Sequence, residues 1–126
     1  MANRQRKTSQ QQSNVHSQAR RVRVERNQLT DLVINKKLVT THTKAKEVQK
    51  KIERLITKAK KDDVNSHRQV AKVLRNVRLD NGKTAVQELH DIAKTFENRN
   101  GGYTRVLKFG HRRGDATPVS IITFVK

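Results

Sequence analysis

Arg105, Lys108, Arg112 and Arg113 fall within one run of nine residues, and Gly110 and Gly114 bracket its last part. An arginine fork can hold two phosphate oxygens at once, and a lysine adds a point charge. The cluster is therefore equipped to grip a phosphate backbone. The two glycines let the chain approach another surface closely. No Asp or Glu occurs from Arg99 through Gly114 to neutralise the set. A solvated hairpin loop is the ordinary alternative, and the missing acids favour phosphate binding over it. Strand alternation sends Arg105 and Leu107 to one face, and Val106 and Lys108 to the other.

The other reactive side chains form no chemical motif along the chain. The histidines are His16, His42, His67, His90 and His111, and none pairs at the four-residue spacing of a helical zinc motif. The chain has no Cys, so disulfides, cysteine zinc sites and thiol catalysis are excluded. No metal site is expected. His16, His42 and His111 read as surface donors, and His90 falls on the polar side of a helical pattern. Asp62-Asp63 reads as a helix start and Asp80 as part of a turn. No Ser–His–Asp order lies in a strand–nucleophile–helix context. Gly101-Gly102 lacks the Gly-Lys-Ser/Thr spacing of a phosphate loop. The expectation is a protein with no catalytic site, no cofactor and no small-molecule substrate.

What remains is charge. Twenty-nine Lys and Arg against eleven Asp and Glu give a formal net charge of +18 on 126 residues. Such a chain repels itself, which points to an anionic partner. Residues 1–26 carry seven basic groups and one acid, residues 36–61 ten and two, and residues 99–114 five and none. Residues 62–98 carry six of each and sum to zero. That neutral stretch is expected to face solvent or another protein. With only Tyr103, Phe96, Phe109 and Phe124 as aromatics, stacking on bases is not the main mode of binding. Phosphate contacts are.

The elements that must hold these groups follow from periodicity. Hydrophobic residues make up 33% of the chain, so the core is small. Residues 1–19, with Arg4, Arg6, Lys7 and Gln10-Gln11-Gln12, have no apolar period and read as a basic arm, disordered when free. Residues 20–126 read as a single domain. A first helix is expected from Arg20, with Val22, Leu29, Leu32 and Val33 on one face. Lys37–Thr41 suits a short strand. Thr43 is a candidate cap for a second helix, whose stripe is Ala45, Val48, Ile52, Leu55, Ile56 and Ala59. A third helix begins at Asp62-Asp63, with Val70, Val73, Leu74 and Val77 inward. Thr84 and Gln87 have capping-box spacing before a fourth, carrying Ala85, Val86, Leu89, Ile92, Ala93 and Phe96. Two strands follow, Tyr103–Phe109 and Val119–Val125, the last apolar enough to be buried on much of both faces. The fold class is α/β (α+β): two layers, in the order helix, strand, three helices, two strands. The last two strands form a hairpin, and the first pairs at an edge or between them.

No apolar segment follows Met1-Ala2-Asn3-Arg4, so neither a secretory signal nor a membrane span is expected. No helix joins a basic face to Trp or Phe in the manner of a membrane-surface helix.

Three strings carry a family resemblance. They are Val39-Thr40-Thr41-His42-Thr43-Lys44-Ala45-Lys46-Glu47, Leu55-Ile56-Thr57-Lys58-Ala59-Lys60, and the run from Arg99-Asn100-Gly101-Gly102-Tyr103-Thr104-Arg105 to Arg112-Arg113-Gly114-Asp115-Ala116. With the order of elements, they resemble the bacterial large-subunit ribosomal protein number seventeen family over about residues 16–125. The start departs from the family: Asn3-Arg4-Gln5-Arg6-Lys7 and His16-Ser17 stand where members carry a Met-Arg-His-Arg-like string and a His-Arg pair. The resemblance implies a three-stranded mixed sheet and a structural component of the large ribosomal subunit in the cytoplasm. It implies a place on the solvent side near the polypeptide exit, contacts with ribosomal RNA and neighbouring proteins, and no catalytic role.

The combined expectation is an RNA-binding structural protein. Arg105, Lys108, Arg112 and Arg113 rank first as contacts. Arg4, Arg6, Lys7, Arg20, Arg21 and Arg23 come second, and Lys44 and Lys46 third. The alternative is a nucleoid-associated DNA-binding protein, which would need a dimer seam or recognition helix that the sequence does not show.

Overall fold

A computed structural model describes residues 17–126. The first helix, α1 (Gln18–Asn35), starts two residues before the expected Arg20, because the Ser17 hydroxyl accepts from the Arg20 amide. Lys36 ends it in the left-handed region, at φ 62°. Strand β1 (Lys37–Thr41) runs straight into α2 (His42–Ala59). Thr41, not Thr43, therefore occupies the N-cap, and its side chain makes no capping bond. Helix α3 (Val64–Ala71) is capped by Asp63, which accepts from the Ser66 amide at 2.5 Å. It is short, so Val77 lies beyond it and is exposed, against expectation. Thr84 and Gln87 form the expected capping box of α4 (Ala85–Thr95). Strands β2 (Thr104–His111) and β3 (Pro118–Phe124) close the chain.

The sheet order is β1-β3-β2, antiparallel at both seams. The implied mixed sheet is not formed. β2 and β3 run in opposite directions as a hairpin and β1 runs antiparallel to β3, so a parallel seam would have needed β1 beside β2. The apolar β3 takes the centre instead and pairs with both. β3 is also less enclosed than expected. Ser120 and Ile122 face the helices and are buried, whereas Val119, Ile121 and Thr123 are half-buried on the open face.

The helices cover one face of the sheet, and α2 packs against every other element. Its six stripe residues are all buried, with Leu29, Leu32 and Val33 of α1, Val70 of α3, and Leu89, Ile92 and Ala93 of α4. His90 is a correction. It is buried within α4 rather than on its polar side, and its Nδ1–H donates to the Ala59 carbonyl at 3.1 Å. Burial, then the neighbouring His67, lowers its pKa and favours the neutral ring. His42 is not a free surface donor either, since it shares a 2.7 Å hydrogen bond with buried Ser120.

Candidate nucleic-acid interface

Lys46 of α2, Arg99 of the α4–β2 connection, and Arg105 and Lys108 of β2 line one shallow groove, together with His42, Gln49 and Thr104. No carboxylate is among the lining residues. Alternation places Arg105 and Lys108 on opposite faces of β2. They meet because β2 is an edge strand, so long side chains from both faces reach the same rim. A register shift between Lys108 and Gly110 bends the strand just beyond.

The groove floor is braced from the helical layer. The Gln49 amide donates to the Thr104 carbonyl at 3.3 Å, and the Thr104 hydroxyl donates to Glu53 at 3.0 Å. Buried Tyr103 donates from its hydroxyl to the Arg99 carbonyl at 3.1 Å, and the Lys60 ammonium donates to both. That lysine bond is the largest influence lowering the Tyr103 pKa. Arg99 is thereby fixed at the groove mouth. Arg99 is not among the contacts expected from the sequence. The signal that could have found it is its place at the head of the acid-free run.

The hairpin tip differs from expectation. Arg112 faces Asp115, with Nε and Nη2 donating to the two carboxylate oxygens at 3.2 and 2.5 Å. The Thr117 amide also donates to Asp115 at 3.2 Å, and the Arg112 amide to the Thr117 carbonyl at 2.8 Å. Arg112 thus closes the loop rather than standing as a free fork beside Arg113. The Arg112 guanidinium, then Thr117, holds the Asp115 carboxyl well below the usual carboxylate range.

Among the described residues, the Lys and Arg ion pairs are Lys36–Glu88, Lys51–Glu25, Lys83–Asp91, Lys94–Asp62 and Arg112–Asp115. Lys44, Lys46, Arg99, Arg105, Lys108 and Arg113 take part in none of them. Lys44 is exposed on α2 outside the groove lining, and Arg20, Arg21 and Arg23 are exposed on α1, also outside it. The structure thus gathers Lys46, Arg105 and Lys108 with Arg99 and leaves the α1 arginines apart. Arg4, Arg6 and Lys7 lie outside the described residues. No helix of the described chain is long and apolar enough to cross a membrane.

Residues 24–125 match a family model described as "Ribosomal protein L17". A relative from Phytoplasma mali (strain AT), named "Large ribosomal subunit protein bL17", is 48% identical over 101 residues, which is 79% of this chain and 86% of the relative. A relative of the same name from Shouchella clausii (strain KSM-K16) is 47% identical over 103 residues, covering 79% and 86%. Another, from Lactococcus lactis subsp. cremoris (strain MG1363), is 46% identical over 105 residues, covering 76% and 83%.

Proposed function

The chain belongs to the Ribosomal protein L17 family, and from that premise we propose that it is a structural constituent of the large ribosomal subunit, holding ribosomal RNA mainly through phosphate contacts. Its partners are then that RNA and neighbouring ribosomal proteins, and its place is the cytoplasmic ribosome, near the polypeptide exit region as the family resemblance implies. The family is structural rather than catalytic.

One observation carries the RNA reading. Lys46, Arg99, Arg105 and Lys108 converge on a groove without a carboxylate in its lining. Four cations so placed repel one another unless an anion lies between them. A phosphate backbone supplies such an anion at regular spacing. A-form RNA shows little sequence in its deep, narrow major groove, so shape and backbone contacts dominate. Residues 1–19 add a basic arm in this reading, with Arg4, Arg6 and Lys7, and then Arg20, Arg21 and Arg23, as further phosphate contacts. Lys44 and Arg113 contribute at the groove's surroundings, and Arg112 contributes once its carboxylate partner releases it. The charge-balanced segment 62–98 faces away from the RNA.

The test is a salt titration with a structured fragment of large-subunit RNA. Lys46→Ala together with Arg105→Ala should weaken binding and reduce the slope of log K against log salt by roughly one unit per lost contact. Unchanged affinity and slope would remove the groove from the interface. Tighter binding to duplex DNA than to RNA at the same salt would favour a nucleoid-associated protein instead.

A further inference from the structure

We propose that the open face of the sheet is a docking surface for a neighbouring protein of the large subunit, one that lays an apolar segment flanked by carboxylates across β1, β3 and β2. The inference rests on the ribosomal reading above and names the face that holds a protein neighbour. Ser120 and Ile122 are buried toward the helical layer, so Ile121 and the residues opposite it point away from that layer. Val39 of β1 and Leu107 of β2 stand opposite Ile121, one on each side. The three form an apolar row across the whole sheet. Beside that row Thr41 stands opposite Val119. Phe109, at the register shift of β2, lines a hollow with Val39, Thr41 and Val119.

Exposure marks the row as uncovered. Phe109 is 66% exposed, Val39 52% and Leu107 48%. The other large apolar side chains exposed among the described residues, Val64 and Val77, belong to the start of α3 and the chain after it. A contiguous apolar patch rimmed by polar groups is the usual mark of a protein contact, and an aromatic side chain within it serves as the anchor.

Charge at the ends of the row selects the partner. Lys37, Thr123 and Arg105 form the adjoining row on one side, and His111 and Arg112 border the hollow on the other. No Asp or Glu occurs in any of the three strands, and Asp115 at the hairpin tip is held by Arg112. A second copy of the chain would bring the same basic rows and meet them with repulsion. RNA is the poorer fit for the middle of the face. Its aliphatic side chains offer a base no aromatic platform beyond Phe109, and the Thr123 hydroxyl is turned to the Lys36 and Phe124 carbonyls. A protein segment with apolar side chains at its centre and carboxylates at its ends matches both the row and its borders.

The experiment uses the full chain assembled into large subunits, with a photoreactive diazirine analogue of phenylalanine in place of Phe109 and, in a second preparation, of leucine in place of Leu107. A diazirine inserts into protein and RNA alike, so the adduct identifies what covers the face. The expected adduct is a protein segment of different sequence, with Asp or Glu close to the cross-linked apolar side chain. Phe109→Ser combined with Leu107→Ser, both at exposed side chains, should lower retention of the chain on salt-washed subunits by roughly tenfold or more. The same pair should leave the RNA affinity and salt slope of the isolated chain at the parent values, because no charge changes. Adducts with RNA alone, with a second copy or with a segment free of carboxylates overturn the proposal, as does unchanged retention of the double variant. A parent chain that fails to join the subunit defeats the ribosomal reading and this inference together, whereas one that joins and yields only RNA adducts defeats this inference alone.

Discussion

Arg112 and Asp115 close the β2–β3 hairpin with a two-point ion pair, one donor on each carboxylate oxygen. The pair sets a competition, because a phosphate must displace Asp115 before it can use the Arg112 fork. Arg113 faces no such contest, since none of the ion pairs among the described residues uses it. Arg113→Ala should therefore weaken RNA binding more than Arg112→Ala does. Asp115→Asn should strengthen it and steepen the salt dependence by roughly one unit, as the freed arginine joins in. An Asp115→Asn variant that binds RNA like the parent would show that Arg112 never reaches a phosphate.

The same pair has a pH signature. Arg112, followed by Thr117, depresses the Asp115 pKa below its usual value near 3.9. A carboxyl with a depressed folded pKa contributes stability above the unfolded value and loses it as pH falls through the folded one. The hairpin should stay closed at pH 4 and loosen only in stronger acid. Side-chain NMR of Asp115 should show this low titration, and Arg112→Ala should return it toward the ordinary carboxylate range. Both groups are about half exposed, so water and salt screen the pair and its weight in global stability stays small.

What the sequence disclosed was mostly local. The α2 stripe from Ala45 to Ala59 is legible because helical periodicity alone selects its buried face. The Thr84 box is legible because its bonds span three residues. Contacts made by folding were not. The acid-free run ends at Gly114, one residue before Asp115, and positive φ at Gly114 and Ala116 turns that carboxylate back onto Arg112. Lys46 and Arg99 join Arg105 and Lys108 only because β2 ends up at the sheet edge. His90 looked polar because residue type was read in place of position: it lies against the C-terminus of α2, where a carbonyl accepts its proton.

Helix capping offers a paired test of local against tertiary inference. Thr84 accepts from the Gln87 amide while Gln87 returns a bond to the Thr84 amide. Thr84→Ala should cost about 1 kcal/mol in urea unfolding. Thr43 has a hydroxyl well placed in sequence but lies inside α2 and is exposed. Thr43→Ala should be neutral or slightly stabilising, since alanine is the better helix former. A loss at Thr43 equal to that at Thr84 would move the start of α2.

The core gives a sharper contrast. Ile52 is 0% exposed at the middle of α2, the element that touches all others. Ile52→Ala removes buried methylene groups from a site that several elements hold open, so it should cost about 2–5 kcal/mol. Val64, 68% exposed at the start of α3, should tolerate Ala within about 0.5 kcal/mol. Unfolding by denaturant, at equal m-values, distinguishes the two.

Tyr103 separates the positioning of the groove from its charge. Its hydroxyl donates to the Arg99 carbonyl and accepts from Lys60, while its ring lies 5.3 Å from that of Phe96 and 5.1 Å from the Lys60 ammonium. Tyr103→Phe keeps the ring and every cation but removes the hydroxyl. It should cost about 1 kcal/mol of stability, and it should lower RNA affinity without changing the slope against salt, because no phosphate contact is deleted. Arg99→Ala does the reverse. It leaves the buried packing intact and should shrink the slope by roughly one unit. Measured side by side, equal losses of slope in both variants would mean that Arg99 loses its phosphate contact altogether once the hydroxyl is gone, so that the Tyr103 anchor decides whether the contact exists and not only how well it is placed.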